Sequence, residues 1–248
     1  MTRRVRIKVC GLTRRKDVEL AVELGADAVG FILAPSPRRI TPEQAALLAA
    51  DLPPFVESVA VVVNPTREET ERIAASGLFT RIQYSGEEPP ELVARSPLKA
   101  VKAIGVTDAA DPAAATCFPE ATILFDARRG ERTGGTGERF DWELLRRSAF
   151  SRPFILAGGL GPENLREALD ALSPWAVDLN SRVERAPGEK DPVLLRRCFA
   201  IVAAWNEESA TAPRRDPGAA IPRNSSGGIP RREASPRRGE FDEKECLS

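Results

Sequence analysis

The feature that most constrains this chain is one pattern repeated eight times. A short, nearly continuous apolar run is followed by a turn, and then by a segment with apolar residues at helical spacing. The runs predict strands over 5–10, 27–34, 57–63, 80–84, 98–104, 121–126, 153–157 and 175–179. The stretch DAVGFILA at 27–34 shows why the sheet is parallel: it is apolar on both faces, as a strand covered on both sides must be. Between the strands, helices are predicted over 15–24, 42–51, 67–76, 90–95, 109–116, after Asp141, over 162–172 and over 191–205. Their ends carry the expected signals. Gly25 closes the first helix. Thr41, Pro42 and Gln44 form a capping box with proline at the first helical position.

Eight alternations in roughly 205 residues predict an α/β chain closed as a (β/α)8 TIM barrel, at the short end of that fold's range. A doubly wound open sheet is the rival. It would normally hold fewer strands and often carries a phosphate fingerprint after the first, whereas Cys10-Gly11-Leu12-Thr13 is no such fingerprint. We place the barrel at 1–205 and a disordered Pro/Arg/Ser-rich tail at 206–248, where apolar residues are too sparse to offset the entropy of ordering.

Composition then narrows the chemistry. The chain has no histidine, which removes His-based triads, HExxH metal sites and any imidazole base. Lys+Arg and Asp+Glu are 36 each, so no global charge excess points to nucleic acid. The four cysteines, Cys10, Cys117, Cys198 and Cys246, contain no CxxC pair, so neither a zinc site nor a redox pair is indicated. A reduced, cytoplasmic setting is expected. No apolar run has the length of a signal peptide core or a membrane span, and no membrane association is expected.

In a barrel, chemistry collects at the C-terminal ends of the strands. Cys10 ends the first strand and Asp126 the sixth, so a thiol and a carboxylate face one mouth from opposite sides. They could serve as base and acid, and the thiolate is the competent base, so the site or the substrate must lower its pKa. Either could instead be structural: Cys10 a small buried hydrophobe, Asp126 a loop cap. Gly158-Gly159 and Asn180-Ser181, after strands seven and eight, fit a phosphate site built from backbone N–H groups. Arg38, in a proline-stiffened loop, has the planar fork to clamp a carboxylate, although a solvated surface charge is the plainer reading. Gln83 and Asp178 end strands four and eight.

The segments KVCGLT, GADAVGFILAPSPRRITPEQA, GGTGERFDW, LAGGLGPENLREAL and PGEKD, in that order, resemble phosphoribosylanthranilate isomerases of tryptophan biosynthesis. The resemblance spans about 5–200 and implies a (β/α)8 enzyme that needs neither metal nor cofactor. Its reaction is the Amadori rearrangement of N-(5-phosphoribosyl)anthranilate to 1-(2-carboxyphenylamino)-1-deoxyribulose 5-phosphate. Its small-molecule partner is thus a phosphorylated sugar, and the chain would work as a monomer or homodimer.

The resemblance makes Asp126 the general acid that opens the furanose ring and Cys10 the general base that takes the C2 proton. Arg38 falls where the family holds the anthranilate carboxylate, Asp178 on a carboxylate near the substrate amine, and Gly158-Gly159 on the phosphate loop. Two departures stand out. Where the family reads Gln-Leu-His-Gly, this chain has Gln83-Tyr84-Ser85-Gly86, and Arg182 replaces a glycine beside the phosphate. Arg182 could meet the phosphate directly, provided its backbone does not need positive φ. Two other readings stay open: a related barrel acting on another aminoaldose phosphate, and a catalytically silent binding paralogue.

Overall fold

The structure, a computed structural model, describes residues 4–106, 111–126, 142–148 and 150–211. The expected loop at 127–140, the Asp141 cap and the tail beyond 211 lie outside the described residues.

Eight strands close into a parallel barrel in chain order: β1 (Arg6–Cys10), β2 (Ala28–Ile32), β3 (Glu57–Val62), β4 (Arg81–Tyr84), β5 (Lys99–Gly105), β6 (Thr122–Asp126), β7 (Phe154–Ala157) and β8 (Ala176–Leu179). Closure is made by β1 against β8, where Arg6, Ile7, Lys8 and Val9 pair with Ala176, Val177, Asp178 and Leu179. Around the strands run α1 (Arg15–Glu23), α2 (Pro42–Ala49), α3 (Arg67–Ala75), α4 (Pro90–Ala94), α5 (Trp142–Arg147), α6 (Leu165–Leu172) and α7 (Pro192–Thr211).

Alternation along each strand sorts the side chains into two cores. Ile7, Val9, Val29, Phe31, Ile123 and Phe125 point outward and meet Val18, Ala21, Leu165, Leu169 and Leu195 of the helices. The inward set is smaller: Val101, Ala103, Leu124, Ile155, Ala157 and Ala176 fill one side of the barrel. Cys10 packs with Val59 and Val61 on the other. The capping box at Thr41 forms as the sequence implies, with Gln44 N–H donating to Thr41 Oγ1 at 3.2 Å and Thr41 N–H to Gln44 Oε1 at 2.9 Å. A second, at Thr66 and Glu69, opens α3.

Three local readings differ. The helix expected over 109–116 is a 3-10 turn, Asp111–Cys117, where a proline and small residues support no longer helix. The last helix runs to Thr211 instead of ending near Trp205. Its extra turns are tied down: Asn206 exchanges hydrogen bonds with the Val5 backbone at 2.7 and 3.1 Å, and Glu208 pairs with Arg166 of α6 at 2.6 Å. A short hairpin, β9 (Glu184–Ala186) with β10 (Glu189–Lys190), follows β8 and was not foreseen. It turns at Gly188, whose φ is +80°.

Candidate active site

The C-terminal ends of the strands surround a cavity of about 260 Å³. Eight of the ten residues singled out from the sequence line it: Cys10, Gln83, Asp126, Gly158, Gly159, Asp178, Asn180 and Ser181. They come from five different strands and the loops after them, so the closed topology brings them together. Ser85, at the position where the resemblance leads one to expect histidine, lines it too.

Cys10 reaches the cavity because β1 and β2 are in register. Cys10 sits opposite Gly30, and the glycine leaves room for the thiol. A Cβ on Gly30 would lie 2.9 Å from Cys10 Sγ and 3.2 Å from Lys8 Cε. Gly11 then turns the chain out of the barrel at φ +70°, a conformation that L side chains rarely adopt. A side chain there would also strike Asn180 Oδ1 and Arg38 Cδ, which bounds how closely β1, the β2 loop and β8 meet.

Two acceptors on the cavity wall have no partner among the described residues. Gln83 Oε1 and Asp178 Oδ1 are buried without a hydrogen bond, while Gln83 Nε2 donates to Ser85 Oγ at 3.1 Å. Buried polar atoms are almost always paired, so two orphans on one wall mark where a ligand's donors belong. The other oxygen of Asp178, Oδ2, accepts from Lys8 Nζ at 2.7 Å, in a pair that is nearly sealed from solvent. Asp178 holds the Lys8 ammonium charged against the cost of its burial.

Burial pushes the Cys10 thiol above its ordinary value. Lys8 pulls the other way without reversing the rise, and the Asp178 charge adds to it. The protein's own groups thus leave the thiol above its ordinary value.

Gly158 and Gly159 both have positive φ, +96° and +67°, at the end of β7. They give way to α6, whose lead-in is fastened by Asn164: its Oδ1 accepts from Gly161 N–H at 2.9 Å and its Nδ2 donates to Gly159 O at 3.0 Å. Asn180 and Ser181 open a 3-10 turn, Ser181–Val183, across from them.

Arg38 and Arg182 do not line the cavity. Arg38 stands at its rim with the guanidinium held by Glu184, Nε 2.9 Å from both carboxylate oxygens and Nη2 2.7 Å from Oε2. Lys190, fully buried, grips the same carboxylate at 2.8 Å and reaches Asn180 Oδ1 at 3.1 Å. Burial alone would raise Glu184, but these two cations hold it below the usual carboxylate range. Arg182 is exposed, in the 3-10 turn, and is not among the residues with positive φ. The backbone condition set for it from the sequence is met.

Sequence reasoning passed over Lys8, Glu184 and Lys190. Lys8 could have been found as the one charged residue inside the apolar run IKVC. Lys190 stands in PGEKD, one of the segments that carry the resemblance, and could have been found there; Glu184 was harder to single out, since charged residues in a loop are ordinary.

A sequence model described as N-(5'phosphoribosyl)anthranilate (PRA) isomerase matches residues 7–200. Among individual relatives, the N-(5'-phosphoribosyl)anthranilate isomerase of Petrotoga mobilis is 44% identical over 194 residues, covering 77% of this chain and 94% of its own. The solved phosphoribosyl anthranilate isomerase of Thermotoga maritima superposes with a TM-score of 0.74 at 39% identity, over 81% of this chain and 99% of that one. A phosphoribosyl anthranilate isomerase solved with reduced 1-(o-carboxyphenylamino)-1-deoxyribulose 5-phosphate gives 0.71 at 38%, over 81% and 99%. With the family match running through nearly the whole barrel, strand ends and cavity included, the chain belongs to the N-(5'-phosphoribosyl)anthranilate isomerase family.

Proposed function

We propose that this chain isomerises N-(5'-phosphoribosyl)anthranilate to the aminoketose 5-phosphate, with Asp126 as acid and Cys10 as base. The observation that carries the residue assignment is the shared cavity. The two groups stand at the ends of β6 and β1, and among the described residues no other thiol lines the space between them. Asp126 gives a proton to the ring oxygen. The C1–O bond breaks, and the nitrogen lone pair forms a C1=N iminium. Cys10 then takes the C2 proton, the C–H electrons form a C1=C2 bond, and the iminium electrons return to nitrogen. The enolamine becomes the aminoketose by gaining a proton at C1 and losing one from the 2-hydroxyl.

The raised pKa of Cys10 suits this order of events. Burial keeps the thiol protonated until the ring opens; the iminium that forms beside it then favours release of the thiol proton to solvent, and the thiolate so formed is the species that takes the C2 proton. The remaining residues bind. Gly158, Gly159, Asn180 and Ser181 take the phosphate, and the exposed Arg182 reaches its outer oxygens. Asp178 Oδ1 and Gln83 Oε1 accept from the substrate's N–H and hydroxyl groups, which ends their isolation. Arg38 offers its outward edge to the anthranilate carboxylate while Glu184 holds the inner one. The reduced aminoketose phosphate bound to the solved relative has the groups this arrangement would take.

No helix among the described residues is long and apolar enough to cross a membrane. We place the enzyme in the cytoplasm, with the barrel as its catalytic unit. One solved relative from Thermotoga maritima is described as dimeric, and sedimentation of this chain distinguishes monomer from homodimer.

The test is loss of the substrate's anthranilate fluorescence with purified protein. Turnover that vanishes in Cys10→Ala and falls strongly in Asp126→Asn supports the assignment. Undiminished turnover in Cys10→Ala, or binding without turnover by the unaltered chain, overturns it.

A further inference from the structure

Lys8 lies directly beneath the cavity and takes part in no step described above. It is two residues before Cys10 on β1, so both side chains point into the barrel. Its side chain is 5% exposed, and register places it opposite Asp178 of β8. A buried ammonium is costly to keep, and hydrophobic residues could fill the same space, so its presence asks for a reason.

The geometry supplies one. Lys8 has three N–H donors. One goes to Asp178 Oδ2 at 2.7 Å, and the Cys10 thiol is the stem's neighbour on the same face of β1: one point, the Cβ that Gly30 lacks, lies 2.9 Å from Cys10 Sγ and 3.2 Å from Lys8 Cε. The stem and the thiol both border Gly30, on the space that the missing Cβ leaves. Among the described residues, five charged or titratable groups act on this corner of the barrel: Lys8, Asp178, Asp126, Lys190 and Arg38. The last two cations share one counter-ion, Glu184, at 2.8 and 2.7 Å.

We propose that Lys8 is a positioning residue for the isomerisation: its ammonium is the counter-charge for the Cys10 thiolate and the anchor that turns the second oxygen of Asp178 into the cavity. One cation thereby serves the base and the acceptor at once. The inference rests on the reading of Cys10 as the base, but its test does not need turnover.

The experiment measures the rate of iodoacetamide alkylation at Cys10 in the full chain between pH 6 and pH 11, read by peptide mass. Cys198 is the internal reference, since burial pushes its thiol up to about 12. In Lys8→Met the alkylation midpoint moves to higher pH, and the rate at pH 8 falls at least about tenfold, as a shift of one unit requires. Lys8→Arg keeps the charge and recovers part of the rate. If Lys8→Met does not fold, the neutral pair Lys8→Met with Asp178→Asn removes both buried charges; the midpoint still moves to higher pH but by less, because losing Asp178 offsets part of the loss of Lys8. In the folded variant, kcat falls by more than KM rises. A midpoint unchanged from the native chain in the folded variants overturns the proposal. Undiminished turnover in Cys10→Ala would overturn the reading of the base and leave the alkylation result standing, so the two failures are distinguishable.

Discussion

Gly30→Ala is the substitution that tests the arrangement of the base with the smallest change. The new methyl would stand 2.9 Å from Cys10 Sγ, 3.2 Å from Lys8 Cε and 3.3 Å from Cys10 Cα. Carbon contacts are comfortable at about 3.5–4.0 Å, so the thiol must retreat by roughly half an ångström or more and the lysine stem by about a few tenths. The β1 backbone cannot take up that shift easily, because it is paired to β2 on one side and β8 on the other. Side-chain torsions absorb the thiol and lysine displacements, and the contact with the Cys10 Cα is left for a small shift of the backbone. Overpacking of this kind costs about 1–3 kcal/mol, and each kcal/mol lowers Tm by about 2–4 °C in a domain of this size. The catalytic effect is larger relative to its cause. A misplacement of about 1 Å can cost a hundredfold, so half of that predicts a loss on the order of tenfold in kcat. KM should change little, since Gly30 lies beneath the cavity and away from the Gly158-Gly159 loop. The assay is the anthranilate fluorescence progress curve at saturating substrate, alongside thermal unfolding. Native kcat in a folded Gly30→Ala protein would refute the reasoning, because it would mean that the position of the thiol does not matter.

Other perturbations separate folding from function. Lys102 and Glu88 form a nearly sealed ion pair at 2.6 Å, and Glu88 also accepts from the N–H groups of Gly86 and Asn64 at 2.8 and 2.9 Å. Burial works to raise Glu88, but these partners outweigh it and hold its pKa below the ordinary value. Its stabilisation is thus present above the ordinary carboxylate range and lost as pH falls through the lower, folded value. Urea unfolding of Glu88→Gln should show a deficit of about 3 kcal/mol at pH 7 that closes in acid. Gln83→Leu removes one of the unpaired acceptors, so it should leave Tm unchanged or higher while kcat/KM falls about tenfold. Glu184→Gln should loosen Arg38 and raise KM several-fold with a smaller change in kcat, as expected for a group that orients a binding residue.

Cys10 and Asp126 were legible because a strand's last residue has a known place in a barrel, and eight alternating segments were enough to imply the barrel. Gly158-Gly159 and Asn180-Ser181 were legible for the same reason. Lys8 was not, because the apolar run around it was read for its length and not for which way each side chain points. Glu184 escaped notice for another reason: its partner Arg38 is 146 residues away, and no local pattern announces an ion pair across that distance. The 3-10 turn at Asp111–Cys117 and the six extra residues of α7 were set by contacts with other elements, Arg152 reaching Ala115 O at 2.9 Å and Arg166 reaching Glu208. Such contacts override propensity without marking the sequence.

The most direct measurement is a crystal structure of this chain with the reduced product analogue bound. The account predicts Cys10 Sγ about 3.5 Å or less from C2 of the sugar, a carboxylate oxygen of Asp126 within about 3.2 Å of the oxygen that closed the ring, and Asp178 Oδ1 taking the amine. A ligand seated in the same cavity with C2 turned toward β4 and out of reach of the thiol would contradict it.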